Sequence, residues 1–236
     1  MKPTNIWQNL QHKDGKYYLQ DDLKYIDVYN KIYIQKNSKV NSALIDLRCV
    51  PEPRLGSIDA PIYLLQLNPS KVFHTENNNV QLEILSLKND IMPHIYLENE
   101  NTWWDKYLLN VKNGFRKVLK DNGISDINVI RRILSNNICS LEYFPYNSIK
   151  FEAEYLHLPS QQYTRELVLY AIKNNKCIII SRSKKLWYGL VPELFGYKNV
   201  YFGSSNQSVY VSQNNIINKT GNRNQLKEIF NKYINI

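Results

Sequence analysis

Cysteine is scarce in this chain of 236 residues: Cys49, Cys139 and Cys177 stand far apart, with no CxxC spacing. That excludes a disulfide framework and a cysteine-ligated zinc or iron–sulfur site. Two of the three lie inside apolar runs, where a thiol behaves as a small hydrophobe. Histidine is no richer, and His12, His74, His94 and His157 share no metal-ligand spacing. Neither a metal nor another cofactor is therefore expected. No stretch approaches the roughly 20 apolar residues of a membrane span. The opening "MKPTNIWQNLQHKDG" lacks the apolar core of a signal peptide, so a cytoplasmic protein with no membrane partner is expected. No internal repeat and no long Gly/Ser/Pro linker divides the chain, which predicts one domain over 1–236, with 1–48 as an N-terminal extension packed on it.

What the chain does have is apolar and basic. Hydrophobic residues make up 43 %, enough for a substantial core, which argues against disorder of the whole chain. The formal charge is 30 − 21 = +9, a balance that favours anionic partners, a nucleic acid or nucleotide above all. Abundant Lys, Asn, Ile and Tyr also mark chains from A+T-rich genomes, so composition alone supplies a second origin for the charge. The oligomeric state is not legible.

Apolar runs and helical stripes alternate. Residues 16–36 mix Tyr, Leu and Ile with charges at near-helical spacing. "CVPEPRLGSIDAP" (49–61) is punctuated by prolines and Gly56, and no regular structure is expected there. "IYLLQL" (62–67) is apolar on both faces apart from Gln66, as suits a strand covered on both sides. In 101–123, Trp104, Tyr107, Leu108, Val111, Phe115, Val118 and Leu119 form one helical stripe, with Asn101 or Thr102 as cap and Gly123 as stop. A shorter helix is predicted over 126–135. Then come a strand over 137–144, a helix over 159–176 capped at Ser160, and a strand at "CIIIS" (177–181). A helix through "KKLWYGLVPEL", a strand over 199–205, an edge strand at "SVYVS" (208–212) and a terminal helix over 222–234 complete the chain. The alternation predicts an α/β fold, a three-layer α/β/α sandwich around a mainly parallel four-stranded central sheet.

Ligands of such sheets bind beyond the carboxyl ends of the strands. The loops there read "LNPSKVF", "FPYNSIKF", "SRSKKLW" and "SSNQSVYVSQNN". They hold short hydrogen-bonding groups (Asn68, Ser70, Asn147, Ser148, Ser212, Asn214), aromatic rings (Phe73, Phe144, Tyr146, Trp187) and cations (Lys71, Lys150, Arg182, Lys184, Lys185). Bases need stacking planes and edge-reading amides, and phosphates need fixed positive charge. Each feature also has an ordinary role: Asn before Pro starts turns, buried aromatics fill cores, and charge runs open solvated helices. No G-x-S-x-G elbow and no paired carboxylates mark an unrelated α/β hydrolase. Glu142, the one carboxylate near a strand end, would serve as a base if it faced the pocket, or would pair with a neighbouring cation.

"PEPRLGSIDAPIYLLQLNPS" resembles the opening of the uracil-DNA glycosylase superfamily, especially its mismatch-specific and single-strand-selective branches. The likeness continues in order through "EYFPYNS", "LPSQQY", "CIIISRSKKLW" and "VYVSQNN", covering about 51–217. The chain also resembles a bacterial group of unassigned function with the same landmarks. The resemblance implies that Asn68 positions the water attacking the sugar carbon and that Pro69 fixes the turn. It further implies that Phe144 or Tyr146 stacks on the base while Asn147 or Ser148 reads its edge, with Ser70 and Arg182 nearby. Two departures stand out. Gln66 replaces a glycine, and "VYVSQNN" lacks the histidine that donates to the leaving base, leaving Ser212 and Asn214 as neutral donors. The expected activity is N-glycosidic bond hydrolysis in DNA or a nucleotide; the alternative is a catalytically inactive nucleic-acid or nucleotide-binding module.

Overall fold

The computed structural model describes residues 1–36, 41–69, 112–204, 210–223 and 225–234, together with 80, 84, 87, 88, 108 and 109. The chain opens with a one-turn 3-10 segment, Ile6–Asn9, whose Asn5 side chain accepts the Trp7 N–H. Strands β1 (Gln11–Lys13) and β2 (Lys16–Tyr18) then form an antiparallel hairpin. Its two-residue turn, Asp14-Gly15, has φ of 53° and 69°, the left-handed pair that matches strand twist. Helix α1 (Gln20–Lys36) therefore begins four residues later than the spacing predicted, because 16–18 pair as a strand.

The central sheet has six strands in the order β3-β5-β4-β6-β7-β8. The inner four, β5 (Ile138–Leu141), β4 (Ile62–Leu65), β6 (Cys177–Ile180) and β7 (Val200–Gly203), are mutually parallel. They are the four expected runs, each apolar because both faces are covered. A two-residue antiparallel strand widens the sheet at each edge: β3 (Arg54–Leu55) beside β5, and β8 (Ile216–Ile217) beside β7. Strand β3 falls where no regular structure was expected. The edge strand expected at 208–212 is displaced to β8; Ser212 makes only an isolated bridge with Gly114, and 205–209 lie outside the described residues.

Helices cover both faces. Tyr63, Leu65, Cys139, Leu141, Ile178 and Phe202 face α4 (Gln161–Lys173) and α5 (Lys184–Leu190), through Leu167, Val168 and Trp187. Trp7, Leu10, Tyr18, Leu19, Ile26, Ile45 and Leu47 belong to that same core, so 1–48 completes the layer and does not merely rest on it. On the opposite face, Ile62, Leu64, Ile138, Ile179 and Tyr201 meet α2 (Phe115–Asp121), α3 (Ile127–Asn137) and α6 (Gln225–Tyr233). Asp126 caps α3, its carboxylate accepting the Asn128 N–H at 2.8 Å. The expected Ser160 cap of α4 is not made: its Oγ makes no capping bond, and its N–H donates instead to Asp22 Oδ1 at 3.0 Å. The first part of the helix predicted over 101–123, with its caps, Trp104, Tyr107 and Val111, lies outside the described residues. Among the described residues no helix is long and apolar enough to cross a membrane, and no cluster of three His, Cys, Asp or Glu could hold a metal.

Candidate functional site

The chain leaves β4 toward β5 on one side, whereas it leaves β6 toward β7 on the other, and this reversal between β4 and β6 is the kind of position at which open α/β sheets take ligands. Parallel register fixes what lines that end. Leu65 pairs with Leu141 on one side and Ile180 on the other, and Ile180 pairs with Phe202. The next residue of each strand path is therefore Glu142, Gln66, Ser181 and Gly203, one row across four neighbouring strands. The ladder continues there, with Gln66 N–H donating to Leu141 O at 2.8 Å and Ser181 N–H to Leu65 O at 3.0 Å. By the two-residue alternation of a strand, this row shares its face with Ile62, Leu64, Ile138, Ile179 and Tyr201. Gly203 is required by its neighbour, since a Cβ there would lie 2.8 Å from Ser181 O.

Gln66 is buried and pinned on two sides. The Trp187 indole N–H donates to its carbonyl at 2.7 Å, and Ser181 Oγ lies 2.8 Å from its Oε1. Ser181 Oγ is also 2.9 Å from Leu65 O, and a hydroxyl has a single proton to give. Turning the amide so that Nε2 donates to Ser181 resolves the conflict. In either orientation one terminal atom of the Gln66 amide is left without a partner. Glu142 Oε2, on the adjacent strand, is likewise closed off from solvent and makes no hydrogen bond. Burial raises the Glu142 pKa well above the usual carboxylate range; Glu52 adds to the rise and the Arg182 guanidinium opposes it. Whenever such a carboxyl carries its proton, it can donate a hydrogen bond as well as accept one.

Two residues beyond Gln66, Asn68 is half-buried. Its Nδ2 donates to Pro69 O at 3.0 Å and to Ser148 Oγ at 3.1 Å, which ties the loop after β4 to the loop after β5. Phe144 N–H, donating to Leu67 O at 2.9 Å, reinforces that union. Among the described residues, no group donates to the Asn68 Oδ1. Pro69 is buried behind it.

Several residues expected in the site are committed elsewhere. Tyr146 and Phe144 have no exposed surface and offer no stacking face. The Tyr146 hydroxyl donates to Asp22 Oδ2 at 2.8 Å and accepts the Leu19 N–H at 3.0 Å, while Phe144 packs edge-on against Tyr146 and Phe151. Asn147 is buried, and its amide donates to Val50 O at 3.2 Å, so it reads no ligand edge. Trp187 is a buried pin. Lys150 pairs with Glu152, and Lys184 lies over the Phe202 ring at 4.1 Å. Arg182 and Asn214 are exposed, and Ser212 is buried, with its carbonyl accepting from Asn215 and Ile216. Among the described residues no hydrogen bond joins Ser212 or Asn214 to Asn68 or Ser148. Ser70, Lys71 and Phe73 lie outside the described residues.

The loops after β4, β5 and β6 thus meet, and the sequence reading undervalued the row beneath them. Its signal was present: Gln66, Glu142 and Ser181 are each the first residue after a buried strand, and each is polar. No family model, no curated protein and no solved structure matches the chain.

Proposed function

We propose that the carboxyl rim of the sheet is a nucleobase site in a uracil-DNA glycosylase-like protein, and that the chain hydrolyses an N-glycosidic bond in DNA or a nucleotide. The observation that carries this reading is the Asn68 amide. Its nitrogen is fixed on Ser148 while its carbonyl oxygen accepts from no described group, two residues along the chain from a strand-end row that holds unpartnered hydrogen-bonding atoms. A neutral amide is too weak a base to deprotonate water, but its oxygen can hold a water in line with the sugar carbon. The water oxygen adds to that carbon, the C–N bonding pair leaves with the base, and the water's proton passes to solvent. Orientation and fixed donors then supply the rate. The +9 charge suits a phosphate backbone.

A second reading is a binding module without catalysis. The burial of Phe144 and Tyr146 and the absence of histidine from 208–214 favour it, because neither ring can stack on a base and that segment offers no imidazole donor to the departing base. One experiment separates the two. Oligonucleotides carrying uracil, hypoxanthine or xanthine are incubated with the protein, and abasic sites are revealed by alkaline cleavage. Hydrolysis predicts strand breaks that fall about a hundredfold or more in Asn68→Ala, the scale of a misplaced reactant. Activity unchanged in that variant removes Asn68 from the mechanism. Binding that weakens steeply with salt, without breaks, selects the module.

A further inference from the structure

We propose that Glu142 and Gln66 are the edge-reading pair of this site, taking a planar heterocycle that presents a hydrogen-bond donor beside an acceptor. The inference rests on the nucleobase reading above and names the groups that would satisfy it. Residues 142 and 66 follow the registered pair Leu141 and Leu65, so their side chains leave adjacent strands on the same face, at the same depth below Asn68. Each ends in a buried polar atom with no hydrogen bond, and the two are not bonded to one another. Unpartnered buried polar groups are rare because each forfeits its hydration, and two on adjacent strands at the carboxyl rim of the sheet point to a bridging group. Gln66 cannot turn away, because Ser181 holds one end of its amide and Trp187 its backbone carbonyl.

The chemistry of the bridge follows from protonation. As a carboxylic acid, Glu142 donates from one oxygen and accepts at the other, the pattern that matches a ring carbonyl beside a ring N–H, or a ring nitrogen beside an exocyclic amine. As a carboxylate it only accepts, and the donor is lost. The charged groups acting on Glu142 are Glu52, which precedes β3, and Arg182, which follows β6; they pull in opposite directions, and burial outweighs both. Glutamine at 142 would preserve a donor beside an acceptor without a titratable proton.

Free uracil and free hypoxanthine serve as probes, with binding to the full chain measured by isothermal titration calorimetry from neutral to alkaline pH. The expected results are threefold: wild-type binding that weakens toward alkaline pH, Glu142→Gln binding that follows the ionisation of the base alone, and Glu142→Ala binding weaker by about tenfold or more throughout. Wild-type-like affinity in Glu142→Ala, or the same alkaline decline in Glu142→Gln as in wild type, overturns the pair while leaving the nucleobase site standing. Failure of wild-type protein to bind either base overturns both.

Discussion

Replacing Tyr146 by phenylalanine decides whether that ring is a structural post or a stacking platform. Its hydroxyl serves two buried partners, the Leu19 N–H at 3.0 Å and the Asp22 carboxyl at 2.8 Å. Deleting the oxygen leaves the Leu19 N–H buried without an acceptor and takes one donor from a fully buried carboxyl. A neutral bond whose partner is stranded costs about 1–3 kcal/mol, and a bond to a charged group about 1.5–3 kcal/mol. Because both partners share one relaxing site, the expected loss is about 3 kcal/mol rather than the sum of the upper limits. For a chain of this length, a shift of about 10 °C in Tm corresponds to that loss. The assay is urea denaturation followed by tryptophan fluorescence, with the m-value required to stay constant. A stacking platform predicts a different outcome, since phenylalanine keeps the ring face and only an exposed hydroxyl is lost. A loss below about 0.5 kcal/mol, the ordinary range of surface substitutions, would refute the buried post.

Two further predictions concern the same framework. Burial raises the Asp22 pKa against the opposing bonds from Ser160 and Tyr146. With the folded value above the unfolded one, the protonated form is preferred in the fold, so this contribution is full at acidic pH and fades as pH rises through the folded value. Asp22→Asn removes that slope, and denaturation midpoints across the acidic range that keep the wild-type slope would exclude Asp22 as its source. Trp187→Phe strands the Gln66 carbonyl and leaves a gap beside Tyr143, whose ring meets the indole edge-on at 5.6 Å; a loss of about 2 kcal/mol is expected in the same denaturation assay. No measurable loss would show that Gln66 is not held from that side.

The parallel strands were legible because burial on both faces turns them into short apolar runs, and "IYLL" and "CIII" need no partner to be recognised. Strands β3 and β8 were not, because two residues carry no period. The hairpin at 11–18 was masked by charges that continue the helical spacing of α1, and only the Asp14-Gly15 turn announces it. The meeting of strand-end loops was legible in part. Asn68 and Ser148, 80 residues apart, came from strand-end loops that the sheet rule brings together, and they meet. Tyr146 was misread because its environment is set 124 and 127 residues upstream, by Asp22 and Leu19, and no local pattern reveals such a partner. Burial of an aromatic beside a proline turn reads the same in sequence whether a base or a helix covers it.

That misreading also explains what 1–48 contributes. In the turn "FPYNS", Phe144 is closed in by Tyr146 and Phe151, Tyr146 is tied to the start of α1, and Asn147 is tied to Val50 and, through its backbone, to Asp46. Three positions of the turn are thereby fixed by groups other than the rim, and Ser148 is the member that reaches Asn68. The N-terminal layer thus acts on the rim at one remove: it holds the turn so that Ser148 Oγ receives the amide nitrogen of Asn68. On the proposed reading the layer is a positioning device, and the chemistry left to the rim is neutral: an amide oxygen for water, with a protonated carboxyl and a second amide for the base. Neutral donors lose less hydration on burial than an imidazolium would and stabilise a departing anion less. Such a site gains more in recognising its base than in expelling it.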